Sequence, residues 1–309
     1  MKKSINIMLT ICLLLSLLSG CGASPAAENG KPSVVVTIYP VYDWVLNLLG
    51  ERAGDFDLCF LLDEGVDMHS FQPSVQDMVA VADADLLIYI GGESDAWIEE
   101  VEATNPAQRR VSLLEALGEA ALEEELAEGM QGEADGAADE HVWLSPKRAR
   151  VLCQALHEAL VSLVPNEGRY LDASWASYDA QLAALDADYT AMVENAAGDT
   201  LLVADRFPFR YLAEDYGLTY YAAFPGCEAE TEASFQTVSF LAGKLDELGI
   251  KTVLVLETGD GRLAETVIAA SRDKDQSLRV LHSLQGASGG KSYLTIMEEN
   301  LDVLREALG

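Results

Sequence analysis

The sequence predicts an α/β protein made of two (β/α) lobes with parallel sheets, joined by a single long spine helix. Short apolar runs alternate with segments of helical periodicity in both halves of the chain, which is typical of parallel sheets covered on both faces. Between about residues 146 and 197 the apolar spacing is helical throughout. The body that follows the first thirty residues is long enough for two compact domains.

The chain begins like an exported protein. Two lysines precede an apolar, uncharged run over residues 5–18, which is too short for a permanent transmembrane helix. The run ends Leu18-Ser19-Gly20-Cys21, and small, polar residues follow as in a tether. We therefore expect a signal peptide over 1–20 and a tether over 21–32.

The Leu18–Cys21 stretch resembles the lipobox of bacterial lipoproteins. That resemblance implies cleavage before Cys21, a diacylglyceryl thioether on its sulfur, and anchoring at the outer face of the cytoplasmic membrane, on the membrane but not across it. The alternative is an ordinary secretory signal that happens to end in a cysteine.

The predicted N-terminal lobe covers residues 33–165 and the predicted spine helix 166–198. In the N-terminal lobe we expect strands at 33–38, 56–62 and 86–90, with helices at 42–49 and 75–84. The predicted C-terminal lobe covers 199–309. Its expected strands lie at 200–204, 218–223, 252–256 and 278–281, and its expected helices at 209–216, 234–248, 262–271 and 293–308.

The charge of the chain is strongly negative. Its 51 acidic and 20 basic residues give a formal net charge of −31, which argues against a nucleic-acid partner because phosphates would be repelled. Residues 118–140 are small and acidic and include no aromatic residue. We expect a mobile, solvated loop there. The alternative is that this loop gathers cations near a site.

Several kinds of catalytic site are not supported. Cys59, Cys153 and Cys227 remain in the body, an odd number without a Cys-x-x-Cys, so they form no disulfide framework. The run GASGGKS at 286–292 lacks the first glycine of a P-loop. No histidine follows Ser288, as a nucleophile elbow would require. A flexible glycine loop is the simpler interpretation.

Three of the four histidines lie where open α/β sheets bind ligands. His69 follows a predicted strand, His282 ends one, and His141 follows the acidic segment just before a helix. Ligands of such sheets bind at the carboxyl ends of the strands. The fourth, His157, lies within a helix and is interpreted as a surface residue. From position alone, metal ligation and a structural role both remain open.

Two motifs extend this observation. Residues 67–73, DMHSFQP, look like the motif D-P-H-x-[FY]-[EQ]-P, and residues 139–146, DEHVWLSP, look like D-P-H-[VIF]-W-[LM]-x-P. The stretch FRYLAEDYGL at 209–218 and the last helix are similar to further motifs of the same family. The chain thus resembles the zinc and manganese solute-binding lipoproteins of ABC importers over nearly its whole mature length.

The resemblance implies two lobes with a metal ion between them and four ligands, two from each lobe. His69 and His141 carry over as the ligands of the first lobe. In the second lobe the family usually has a His or Glu at a strand end and an Asp after the last strand. His282 stands where that Asp is usual.

The other second-lobe position is ambiguous by one residue. Counting from the strand gives Asp205, and counting back from Tyr216 gives Arg206, so we infer a one-residue insertion near Pro208. Because an arginine cannot be deprotonated to bind metal, Asp205 is the predicted ligand. Alternative ligands, or partners for Arg206, are the acidic and thiol residues Cys227, Glu228, Glu230, Glu232 and Glu257.

Three imidazoles and one carboxylate suit tetrahedral Zn²⁺, so zinc is predicted, with Mn²⁺ as the alternative. The resemblance implies a binding protein without catalysis that delivers the ion to a permease powered by a cytoplasmic ATPase. We expect a monomer. Open alternatives are a manganese-binding transport protein, an adhesin or interaction lipoprotein on the same scaffold, and a zinc-dependent hydrolase, for which no general base has motif support.

Overall fold

The first sheet is parallel, with strand order β2-β1-β3-β4. The computed structural model describes residues 30–62, 66–132, 136–227, 232–285 and 288–309; the predicted signal peptide and Cys21 lie outside these ranges. The elements of the first lobe are β1 (Ser33–Val36), α1 (Tyr39–Leu49), β2 (Asp57–Phe60), α2 (Val75–Asp83), β3 (Leu86–Tyr89), α3 (Ala96–Glu99), β4 (Arg109–Ser112) and α4 (Leu113–Leu117).

The second sheet is also parallel, with order β6-β5-β7-β8. Two helices, α5 (Pro146–Leu163) and α6 (Gly168–Asn195), precede it. Its elements are β5 (Thr200–Phe207), α7 (Arg210–Tyr216), β6 (Thr219–Pro225), α8 (Phe235–Leu248), β7 (Thr252–Leu256), α9 (Arg262–Ala270), β8 (Ser277–Leu281) and α10 (Tyr293–Leu308). The predicted fold class, two α/β lobes with a long helix, is confirmed.

Hydrophobicity explains the central strands and fails to explain one edge strand. β1 (SVVV) and β3 (LLIY) are almost wholly buried, as expected for strands covered on both faces. β4 was not predicted from the sequence, because its residues RRVS include a single apolar one. An edge strand has a partner on one side only and tolerates charge, so its pattern is weak.

The long helix α6 has 28 residues and is therefore ~42 Å long. After Gly168 it has neither glycine nor proline. It has one narrow buried face, made of Leu171, Tyr178, Leu182, Leu185, Tyr189 and Met192. These positions recur at intervals of three, four or seven residues, the spacings that keep side chains on one side of a helix.

The two lobes share one apolar core and are also joined by buried hydrogen bonds. The indole nitrogen of Trp143, in the first lobe, donates to the carbonyl of Ser283 in the second at 2.8 Å. The hydroxyl of Tyr293 donates to the carbonyl of Trp143 at 2.7 Å, and that of Tyr211 to the carbonyl of Asp139 at 2.9 Å. Groups on both sides of the cleft are thereby held at fixed separations.

The acidic segment 118–140 keeps several exposed carboxylates, as expected, and also makes contacts that its composition does not predict. Its described residues are hydrogen-bonded to the second lobe: the backbone N–H of Gln131 donates to Ala223 O (2.9 Å), and Glu124 accepts from the backbone N–H of Cys227 (2.8 Å). Glu125 pairs with Arg210. Arg210 and a backbone donor of the second lobe thus bind Glu125 and Glu124, contacts that composition alone does not reveal.

In the part of the chain that the structure describes, no helix combines the length and the apolar character needed to cross a bilayer.

One ion pair between the lobes is suited to a test of how strongly they are joined. Asp215 accepts two hydrogen bonds from Arg148, both 2.8 Å, and one from Ser145 at 2.6 Å. We expect Asp215→Ala to lower the free energy of unfolding by about 3 kcal/mol, because it leaves a mostly buried guanidinium without its carboxylate. Urea unfolding measures this.

The matched control is Asp302→Ala, which removes the exposed partner of Arg305 and is expected to cost about 0.5 kcal/mol or less. Equal effects of the two substitutions would show that the Arg148–Asp215 pair contributes no more than a surface pair.

Candidate metal centre

His69 lies on a one-turn helix, Met68–Ser70, that follows β2. Asp67 caps this turn: its Oδ1 accepts from the backbone N–H of His69 at 2.9 Å. The other carboxylate oxygen of Asp67 accepts from Arg206 Nη2 at 2.9 Å, across the cleft. One acidic residue thus positions His69 and neutralises the cation that the second lobe brings nearest to it.

His141 is fully buried just before the turn Val142–Leu144. Oδ1 of Asp139 lies 2.8 Å from its backbone nitrogen and 3.0 Å from its ring Nδ1. Since a carboxylate only accepts, Nδ1 carries the proton, and Nε2 has a free lone pair. Gly226 makes this approach possible, because a Cβ there would come within 3.0 Å of the imidazole.

The ring of His69 is oriented in the same way. Ser94 donates to Glu140 Oε2 at 2.5 Å, so its oxygen accepts from His69 Nδ1 at 3.0 Å. This again leaves Nε2 with its lone pair. The backbone before Ser94 can lie close to Glu140 because residue 92 is a glycine: a Cβ there would lie 2.1 Å from Glu140 Oε1.

The two Nε2 atoms face each other at 3.3 Å. Zn–N bonds of about 2.0–2.1 Å in a tetrahedron place two ligand nitrogens about 3.3 Å apart. Burial, together with the neighbouring His141 and Arg206, lowers the pKa of His69 to about 3. The imidazole of His69 is therefore neutral at physiological pH, which is the form that binds metal.

Gln285 approaches this pair from the second lobe. Its amide nitrogen lies 2.6 Å from His141 Nε2 and 3.4 Å from His69 Nε2. The sequence analysis did not single out Gln285, because glutamine is not a usual zinc ligand. Its position three residues after His282, in the same strand-end loop, was the one signal available.

The second-lobe ligands predicted from sequence lie outside this cluster. Asp205 accepts from the backbone N–H groups of Arg206 (2.8 Å) and Leu256 (3.1 Å). The backbone of His282 exchanges two hydrogen bonds with Asn300, both 2.8 Å. The register of β5 shifts between Val203 and Arg206, upstream of Pro208. Such a bulge re-aims side chains, and here Arg206, 3% exposed, reaches Asp67.

The acidic alternative ligands fall in three groups. Glu257 accepts from the backbone N–H of Ser283 (2.8 Å) and from its hydroxyl (2.9 Å), so it stabilises a turn. Glu232 is exposed, and its carbonyl accepts from Gln131. Glu228 and Glu230 lie outside the described residues.

Among the alternative ligands that the structure describes, Cys227 is the one that lies close to the histidines. Within the described residues it forms the candidate metal cluster with His69 and His141, whose donor atoms lie within 4.8 Å of one another. Its sulfur approaches His141 at Nδ1, 4.0 Å away, the nitrogen already bonded to Asp139. Burial, with Asp139 and Glu124 nearby, raises the pKa of the thiol far above its usual range. Since thiolate is the metal-binding form, binding of an ion by Cys227 would have to release this proton.

This architecture, two (β/α) lobes on a long helix with a pair of oriented imidazoles in the cleft, defines a two-lobed solute-binding protein. The model of the family described as "ZnuA: Zinc-uptake complex component A periplasmic" matches residues 34–307. The chain belongs to this family. Its fold and family are those of solute-binding proteins and not of enzymes.

Two curated relatives are similar along the chain. The zinc-binding protein AdcA of Streptococcus pyogenes serotype M3 is 27% identical over 325 residues, with 99% of this chain and 61% of AdcA covered. The chain therefore spans about six-tenths of the length of that relative. The high-affinity zinc uptake system protein ZnuA of Bacillus subtilis is 27% identical over 323 residues, covering 100% of this chain and 99% of that protein.

Two solved structures share the fold. The metal-dependent lipoprotein YcdH of Bacillus subtilis superposes with a TM-score of 0.75 at 25% identity, covering 90% of this chain and 100% of that one. The periplasmic zinc-binding protein TroA of Treponema pallidum gives 0.73 at 22% identity, with 91% and 100% covered.

A buried carboxylate beside the site gives a pH prediction. Asp95 lies in the segment that follows β3, and its carboxylate accepts a hydrogen bond from the backbone N–H of Ile90 at 2.5 Å. Burial, and then the charge of Glu140, raise its pKa from 3.8 to about 6. Its protonated form is thus favoured by folding: the stability this contributes is complete below the unfolded pKa and is lost as pH rises through about 6.

Relative to Asp95→Asn, the wild type should therefore lose about 3 kcal/mol of unfolding free energy between about pH 4 and pH 7. Urea unfolding across this range measures it, with the exposed Asp302→Asn as the control that should follow the wild type. Parallel pH profiles for wild type and Asp95→Asn would contradict the raised pKa.

Proposed function

We propose that this protein binds Zn²⁺ in the cleft between its lobes. The observation that carries the proposal is the pair of Nε2 atoms, 3.3 Å apart, on two imidazoles whose Nδ1 atoms are both engaged. Neutral imidazole nitrogens suit zinc better than manganese, which is more often bound by oxygen. The oriented His141–Asp139 pair is the arrangement that commonly supports a metal-binding imidazole.

The ion is cargo, delivered to a membrane permease powered by a cytoplasmic ATPase. Support comes from the family, whose description is of a component of a zinc-uptake complex, and from the name of the Bacillus subtilis relative, a high-affinity zinc uptake system protein. The protein acts outside the cytoplasmic membrane as a monomer. His69 and His141 are the first-lobe ligands, and Asp205 and His282 remain the second-lobe ligands predicted from sequence.

Zinc binding is tested by equilibrium dialysis and competition with a chromophoric chelator. We expect one Zn²⁺ per wild-type chain and none in the His69→Ala/His141→Ala double variant, since it lacks both oriented nitrogens. Mn²⁺ should compete poorly.

His157→Ala is the matched control, because this histidine bonds to Asp172 on the helix surface, away from the cleft. It should bind zinc like the wild type. A double variant that still took up one zinc would refute the site, and a wild type that bound Mn²⁺ more tightly than Zn²⁺ would favour the manganese alternative.

We also propose that the mature protein is anchored through a lipid on Cys21. The support is the Leu18–Cys21 sequence and the description of the Streptococcus pneumoniae relative, 28% identical over 314 residues, as a zinc-binding lipoprotein. The anchor would keep the binding protein close to its permease.

Expression in a bacterial host gives the test. We expect wild-type protein in the membrane fraction with a diacylglyceryl mass increment on Cys21, and Cys21→Ser protein without it. Cys12→Ser, a change within the same signal segment, should leave the lipid in place. Wild-type protein without the lipid would show that the N-terminal segment is an ordinary secretory signal.

A further inference from the structure

Gln285 occupies the position from which a second-lobe ligand would complete the histidine pair. Its amide nitrogen lies 2.6 Å from His141 Nε2 and 3.4 Å from His69 Nε2. Since both Nε2 atoms have lone pairs, the amide N–H groups are the donors in this arrangement. One side chain of the second lobe therefore touches both metal-binding nitrogens of the first.

The amide oxygen of Gln285 is placed differently from its amide nitrogen. Within the described residues Oε1 of Gln285 is buried and has no hydrogen-bond partner. A half-turn of the amide about its Cγ–Cδ bond exchanges oxygen and nitrogen, and it breaks no bond at Oε1. The amide oxygen can then occupy the place next to the imidazoles where a cation would be bound.

The backbone before Gln285 holds its side chain beside the two histidines. Leu284 has φ of +61°, a left-handed conformation that is costly for a side chain with a Cβ. Ser283 is held by Glu257 through its N–H and its hydroxyl, and its carbonyl accepts from Trp143, two residues after His141. The turn is thus fixed from both lobes. Strained backbone of this kind persists where surrounding contacts enforce it, as at ligand-binding sites.

We infer that Gln285 is the second-lobe ligand, its amide nitrogen donating to His69 and His141 before the ion binds and its amide oxygen binding the ion afterwards. This rests on the proposed zinc-binding function. It assigns the ion two imidazole nitrogens and one amide oxygen, all neutral, and leaves a coordination position for water or a small anion.

Charge in the cleft is consistent with a neutral ligand. Arg206 is buried next to Asp205, the second-lobe ligand predicted from the sequence. Its charge is neutralised by Asp67. A neutral ligand set keeps the full double charge on the ion. The attraction between a carboxylate and a dication is strong at low dielectric. With a neutral ligand set, release of the ion to the next protein does not have to overcome that attraction.

The experiment compares Gln285→Ala and Gln285→Glu with wild type, using Zn²⁺ competition titrations and the visible absorption of the Co²⁺-loaded protein. Gln285→Ala should keep one site per chain, bind Zn²⁺ at least roughly tenfold more weakly, and show shifted Co²⁺ d–d bands. Gln285→Glu should bind more tightly than wild type, because it adds a charge at the ligand position.

His157→Ala again serves as the control, and Asp205→Asn and His282→Ala are measured alongside. If the Gln285 variants match wild type in affinity and spectrum, while Asp205→Asn or His282→Ala weakens binding and shifts the bands, Gln285 is not the ligand and the pair predicted from sequence is. A wild type without stoichiometric Zn²⁺ or Co²⁺ would instead overturn the proposed function itself.

Discussion

The bond between Asp139 and His141 is the interaction on which the cleft depends. One carboxylate oxygen accepts from both the backbone and the ring of the histidine, so it fixes the position of the residue and its tautomer at once. Asp139 also links the lobes, since its carbonyl accepts from Tyr211. Only with this tautomer does His141 turn a lone pair toward His69 and offer Gln285 an acceptor at 2.6 Å.

The fold was largely predictable from the sequence because its buried strands and helices have strong periodic patterns. β1, β3 and β7 are short apolar runs, and the buried face of α6 recurs with helical spacing. β4 was missed because an edge strand is not forced to be apolar. The contacts of the acidic segment with the second lobe were not predicted, because they depend on Arg210 and on the backbone of Cys227, more than eighty residues away in the chain.

The proximity of His69 to His141 could be predicted from the sequence, whereas the second-lobe side chain that contacts them could not. His69 and His141 lie in motifs whose neighbouring residues, Asp67 and Asp139, hold them directly, so local sequence carries the local geometry. In the second lobe a shift of register within β5 decides whether Asp205 or Arg206 faces the cleft, and residue types do not reveal a bulge. Gln285 depends on a left-handed Leu284, a conformation that the sequence gives no reason to expect.

The hydrogen bonds that join the lobes also limit how the cleft can open. Trp143–Ser283, Tyr293–Trp143 and Tyr211–Asp139 are all buried, and each involves or adjoins the segment that carries His141. Separating the lobes as rigid bodies would break all three, at a cost of about 1–3 kcal/mol for each group left unsatisfied. A wide hinge motion is therefore expensive for this protein. Rotation of the Gln285 amide breaks none of these three bonds, so a side-chain movement at the cleft costs less than a change in the angle between the lobes.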